Sequence, residues 1–189
     1  MRRVMIAILL SLVSTSAVSA VTGVNKIRIT SSLPTYLQIS EVVAMSGPID
    51  FATAANGATA LDDGTGFWPG VTTPDTSHAI DGIGPTAFPD IYHSDTSGSD
   101  EFLLITLDAA YTIESLSIFG RGDSFSQRDI YDIQLLSAAD EVLFEAFSQS
   151  ANNGANEAVV ELAPVPIPAA AWLFSSALLG LGAVKRKRS

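Results

Sequence analysis

Between residues 102 and 162 the chain is cut into short apolar stretches, each closed by turn-forming residues. FLLITL (102–107), IESLSIF (113–119), IYDIQLL (130–136), VLFEAF (142–147) and AVVEL (158–162) follow one another. In the third, Tyr131, Ile133 and Leu135 fall on one face and Asp132 and Gln134 on the other. That is the period of two a half-buried strand requires. Asp108-Ala109-Ala110, Ala138-Ala139-Asp140 and Asn152-Asn153-Gly154 supply the intervening turns. Short strands at this spacing predict an all-β sandwich rather than an α/β fold. No internal repeat is apparent, which disfavours a propeller or solenoid.

Upstream, KIRIT (26–30) alternates polar and apolar residues and reads as a strand, and YLQISEVVAM (36–45) reads as another. Residues 46–101 are rich in Gly, Pro, Thr, Asp and Ser, with turn signals at Ser46-Gly47-Pro48 and Asp63-Gly64. They are expected to be mostly irregular. So long a loop region inside one domain needs ordered packing, for which a bound metal ion is one means.

Both ends look like addresses. Residues 1–20 carry two arginines, an apolar run and the small residues Val18-Ser19-Ala20, the pattern of a signal peptide cleaved after Ala20. An uncleaved anchor is the other reading of that run. Residues 163–189 pair an apolar stretch from Ile167 to Val184 with the basic cluster Lys185-Arg186-Lys187-Arg188. The stretch is near the lower limit for a transmembrane helix, and the basic cluster would stay cytoplasmic. A buried C-terminal helix fits less well, since only Ser175 and Ser176 interrupt the run. One domain, residues 21–162, is left between.

That domain has four basic residues (Lys26, Arg28, Arg121 and Arg128) against twenty acidic ones, a net charge of −16. Nucleic acid is excluded as a partner, because phosphate neutralisation needs a basic face. An anionic membrane surface is disfavoured for the same reason. Such acidity suits cation binding or solubility in a salty medium. The chain has no cysteine, so neither disulfides nor thiolate chemistry enter.

Catalysis finds no foothold. There is no Gly-x-Ser-x-Gly, His-Glu-x-x-His or P-loop motif, and only two histidines. The carboxylate pairs Asp62-Asp63 and Asp100-Glu101 are sequence neighbours, and on a strand neighbours point to opposite faces. A binding protein rather than an enzyme is expected. Phe67 and Trp68 suit either a stacking platform for a ligand or a plug of the core. Arg121-Gly122-Asp123 spells a cell-adhesion tripeptide, but so short a match arises often by chance.

Two resemblances sharpen this. Val165-Pro166-Ile167-Pro168-Ala169, then the apolar run, then the basic terminus, resembles the C-terminal sorting signal of exosortase systems in its V-P-L-P-A (PEP-CTERM-type) variant, with Ile167 where Leu is usual. It implies a Gram-negative bacterium, an exosortase-type processing enzyme, transit through the inner membrane, and delivery to the cell surface or an extracellular, biofilm-like matrix. The second rests on His78-Ala79-Ile80-Asp81-Gly82, Tyr92-His93-Ser94, Leu104-Ile105-Thr106-Leu107, Tyr111-Thr112-Ile113 and FGRGDSFSQRD (119–129), in that order. Over residues 36–147 these resemble discoidin-type (coagulation-factor type C) domains and their fucose-binding relatives. The implied fold is a galactose-binding-like jelly-roll β-sandwich. Residues 36–42 resemble the family's last strand yet stand first, so the closing strand would come from the N-terminal side.

The resemblance also implies sites. In the fucose-binding relatives a structural Ca²⁺ lies under the binding loops. Carried over, Asp81 gives a side-chain oxygen, His78 and Ile83 give backbone carbonyls, Ser94 gives oxygen ligands, and Ser40 with Glu41 completes the shell. Hard oxygens from irregular loops are what Ca²⁺ accepts. The plainer reading makes Asp81-Gly82 a turn and Glu41 a solvated strand residue. The relatives grip sugar hydroxyls with two arginines at the spacing of Arg121 and Arg128, a task suited to a guanidinium fork. They place adjacent cysteines between the arginines, where this chain has Ser124 and Phe125. Their further histidine is replaced by residues 95–98, leaving His93 as its nearest substitute. The plainer reading pairs Arg121 with Asp123 or Asp129 to fix the turn. The expected function is an exported carbohydrate-binding module for glycan or exopolysaccharide. The alternative is a calcium-stabilised structural matrix protein with no specific sugar ligand.

Overall fold

A computed structural model of the chain describes residues 19–70 and 75–162. The sorting motif Val165, Pro166, Ile167 and Pro168, the tail stretch and residues 1–18 of the leader lie outside the described residues. Among the described residues no helix is long and apolar enough to cross a membrane.

The fold is all-β. In chain order the strands are β1 (Val21–Ser31), β2 (Gln38–Ile39), β3 (Glu41–Ser46), β4 (Ile49–Asp50), β5 (Thr59–Asp62), β6 (Tyr92–His93), β7 (Phe102–Ile113), β8 (Ser115–Phe119), β9 (Ile130–Leu136), β10 (Val142–Ser150) and β11 (Glu157–Val160). A five-stranded sheet runs β10-β9-β1-β7-β5 and a four-stranded sheet runs β11-β8-β3-β4. A two-stranded ladder of β2 and β6 stands apart from both. Every pairing is antiparallel.

Alternation builds the core. On β1, Ile27 and Ile29 are fully buried, and on β9 so are Ile133 and Leu135. They meet Val42 and Ala44 of β3 and Leu116 and Ile118 of β8 in one cluster. Each large aliphatic side chain so buried stabilises the fold by roughly 1.5–3 kcal/mol. The KIRIT strand is the middle of β1, which is central because β7 and β9 flank it.

Two expectations change in detail. The strand read over residues 36–45 is two strands. Gln38 and Ile39 pair with His93 and Tyr92, whereas Glu41 to Met45 pair with β8. The break is at Ser40, whose hydroxyl reaches the carbonyl oxygens of Phe119 (3.2 Å) and Gly120 (2.8 Å). Asp108-Ala109-Ala110 is not a turn but lies within β7. Val24 faces Tyr111 while Lys26 faces Thr106, so the extra residues on β7 form a bulge. The Tyr111 hydroxyl donates to Asp108 Oδ1 at 2.7 Å across it. The described residues among 46–101 are largely irregular, as expected, apart from β4, β5, β6 and 3-10 helices at Ala54–Asn56 and Asp75–Ile80.

Candidate functional site

The β8–β9 connection carries Arg121, Phe125 and Arg128, and a 3-10 helix at Ser126–Arg128 closes it. Two short contacts anchor this loop. The Arg121 N–H donates to Asp129 Oδ2 at 3.0 Å, and the Gly122 N–H donates to the Thr86 carbonyl at 2.6 Å. Gly120 permits the first, since a Cβ there would overlap the Asp129 carboxylate.

These side chains form one wall of a cavity of about 340 Å³, at the lower end of the roughly 300–1,000 Å³ range of small-molecule sites. Tyr36, Trp68, Phe88 and His93 line the rest. Tyr36 meets Trp68 edge-on with ring centroids 5.0 Å apart, and His93 lies 5.2 Å from Tyr36 and 5.4 Å from Trp68. Aromatic surface therefore faces two guanidinium groups.

The arginines differ. Arg121 is buried, and its Nε and Nη2 both bind the Asp123 carboxylate, Nη2 at 2.7 Å. This fork holds the Asp123 carboxyl below its ordinary range. The turn-fixing ion pair thus exists, and the same arginine still lines the cavity. The Arg128 guanidinium has no hydrogen-bonded or ion-paired partner among the described residues. It lies over the Phe125 ring at 4.6 Å and the Tyr36 ring at 5.9 Å. Phe125 also lies 5.3 Å from the Arg121 guanidinium, so it stands between the two. Its backbone takes φ +79°, a left-handed conformation costly for a bulky residue.

His93 has both ring nitrogens engaged. Nδ1 faces the Ser94 carbonyl oxygen and Nε2 the Gln38 side-chain nitrogen, each at 2.8 Å. A carbonyl only accepts, so Nδ1 carries the proton and Nε2 accepts from Gln38. Burial, then the nearby arginines, lowers the pKa of His93. It presents a neutral ring face to the cavity rather than a free nitrogen. Beneath the site, the Tyr131 hydroxyl donates to the Gln38 carbonyl at 2.6 Å. Asp75, wholly buried, accepts the backbone N–H of His93 with both carboxylate oxygens.

Of the Ca²⁺ residues, the structure brings some together and separates others. Glu41, 2 % exposed, accepts the N–H groups of Gly82 (2.9 Å) and Ile83 (3.1 Å) through Oε2. Its Oε1 is buried with no hydrogen-bond partner. Burial, with the Asp81 carboxyl beside it, pushes the Glu41 pKa up to about 8. Asp81 Oδ1 accepts the Ile83 N–H at 2.8 Å, and Oδ2 lies 3.6 Å from His78 Nδ1. Glu41 is therefore not the solvated strand residue of the plainer reading. Ser94 belongs elsewhere, because its hydroxyl bonds to Leu37 N (3.0 Å) and the Thr96 carbonyl (2.8 Å). The Ser40 hydroxyl is turned to Phe119 and Gly120. Among the described residues no three His, Cys, Asp or Glu side chains gather as a metal site. What fits a cation is the Glu41–Asp81 pair with its orphaned oxygen. Main-chain carbonyls and water would have to complete its shell.

The sequence left Trp68 and Phe67 undecided between platform and core, and the structure divides them. Phe67 packs against the core, whereas Trp68 is 37 % exposed at the cavity. Tyr36, Phe88 and Phe125 were missed as site residues. Nothing in their local sequence marks them, since they converge only through the fold. No family model, no curated protein and no solved structure matches this chain.

Proposed function

We propose that the domain is a discoidin-like, galactose-binding-like jelly-roll module that binds a sugar in this cavity and does not catalyse. The supporting observation is the convergence of Arg121 and Arg128, from one loop, on a cavity walled by aromatic rings. Guanidinium groups donate to vicinal hydroxyls, and aromatic faces cover the apolar C–H faces of a pyranose. Phe125, where the fucose-binding relatives carry cysteine, supplies apolar surface between the arginines. The partner is glycan or exopolysaccharide. The leader and the V-P-L-P-A-like tail take the protein through the inner membrane to an exosortase-type enzyme, then to the cell surface or extracellular matrix. Ca²⁺ at Glu41 and Asp81 clips the loop of residues 81–91 to β3.

A glycan array probed with and without EDTA tests the reading. Saccharide binding that disappears in both Arg121→Ala and Arg128→Ala supports it. A second reading, a structural matrix protein, draws on one observation. The edge strand β10 exposes Val142, Leu143 and Phe147, a surface suited to self-assembly. Silence across the array together with calcium-dependent self-association would favour that alternative.

A further inference from the structure

We infer that the cavity takes an acidic sugar, a pyranose bearing a carboxylate such as a hexuronic acid, because a domain with twenty carboxylates lines this cavity with none and leaves the Arg128 guanidinium there without an ion-paired acid. The inference rests on the sugar-binding reading of the same cavity and names its substrate class.

The four basic residues of the domain are disposed differently. Lys26 pairs with Asp140 at 2.6 Å, and Arg121 is neutralised by Asp123. Arg28 lies over the Phe102 ring on the outside of the five-stranded sheet, where Asp132 and Asp140 line the adjoining grooves. Arg128 has only aromatic rings around its guanidinium and no acid on the cavity wall. Asp129, its neighbour in sequence, is buried against the Arg121 N–H and feels the Arg128 charge through space without forming an ion pair with it. Among the described residues Arg28 also makes no ion pair and its Nε has no hydrogen-bond partner, but carboxylates share its grooves; only at Arg128 does the surrounding cavity wall carry no acid.

Ring and charge are then specified together. Tyr36, Trp68 and Phe125 offer flat apolar faces to a sugar ring. The Arg128 fork offers two parallel N–H donors, which match a carboxylate better than a hydroxyl pair. A cationic ligand, the usual occupant of an aromatic box, is opposed by the Arg128 charge. The remaining acids repel an approaching anion only weakly at physiological salt, where charges beyond roughly 8 Å are screened.

The test is isothermal titration of the intact protein with glucuronate, galacturonate, glucose, galactose, fucose and acetate at low and high salt. The expected result is that a uronate binds at least tenfold more tightly than its neutral hexose. That preference shrinks with salt, is lost in Arg128→Gln and is partly kept in Arg128→Lys, with circular dichroism unchanged in both variants. Neutral sugars binding as tightly as uronates would overturn the acidic preference and leave the sugar site standing. Acetate binding as well as glucuronate would overturn it too, by showing that the ring contributes nothing. Heat from none of the sugars would overturn this inference and the sugar-binding reading together. Should the variants misfold, the salt dependence of the uronate-to-hexose ratio in the unaltered protein still decides.

Discussion

At the scale of single residues, Phe125 is the side chain on which the account can be checked with least ambiguity. Its left-handed backbone costs about 1–3 kcal/mol, and its ring is 45 % exposed, so burial returns little. What it does is stand between Arg121 and Arg128. Phe125→Gly is therefore expected to leave the thermal midpoint unchanged or higher while weakening sugar binding at least tenfold. Parallel melting and titration curves check this. Gly120 is the opposite case. Its missing Cβ gives the Asp129 carboxylate its place against the Arg121 N–H. Gly120→Ala should destabilise the fold by about 1–3 kcal/mol in chemical denaturation, as overpacking does. The sequence showed the two arginines and their spacing. It did not show Phe125 as their spacer, because a positive φ on phenylalanine has no local signature.

At the scale of elements, alternation made β1, β9 and the pairing partners of β9 readable, and the face of Tyr131, Ile133 and Leu135 is buried as the pattern required. Legibility failed where side chains rather than period decide. Ser40, by bonding to Phe119 and Gly120, divides one apparent strand into β2 and β3. That division matters, because β2 carries Gln38 to the His93 ring while β3 carries Glu41 to Asp81. Burial and Asp81 favour the neutral form of Glu41 at neutral pH, so Glu41→Gln mimics the metal-free state. The variant should melt within a degree or two of the metal-free wild type. Ca²⁺ should raise the midpoint of the wild type and leave that of the variant unmoved in differential scanning fluorimetry. An equal Ca²⁺ response in both would remove Glu41 from the site.

At the scale of the whole molecule, the two-sheet architecture was legible from strand spacing and the cavity was not. It is assembled from segments as distant as Tyr36 and Arg128, joined only by tertiary contact. Burial of acids leaves a global mark. Desolvation raises Asp75 and Asp129 from the ordinary 3.8 to about 7. The folded state thus holds these protons more tightly than the unfolded chain does. Their contribution is most favourable below about pH 4 and is lost as pH rises towards 7. The thermal midpoint should fall between pH 5 and pH 8 in metal-free buffer, and Asp75→Asn or Asp129→Asn should flatten the slope. A midpoint that rises over that interval would contradict these burials.

The central claim is that the arginine and aromatic cavity binds a sugar. Trp68 sits in its wall, and the other tryptophan, Trp172, lies in the tail. Titration of the intact protein with a monosaccharide panel, read by tryptophan fluorescence, is therefore the most direct measurement. The account predicts a saturable change with at least one sugar, absent in Trp68→Phe and in Arg128→Ala. No saturable change with any sugar into the millimolar range, or a change that persists in Arg128→Ala, would contradict it.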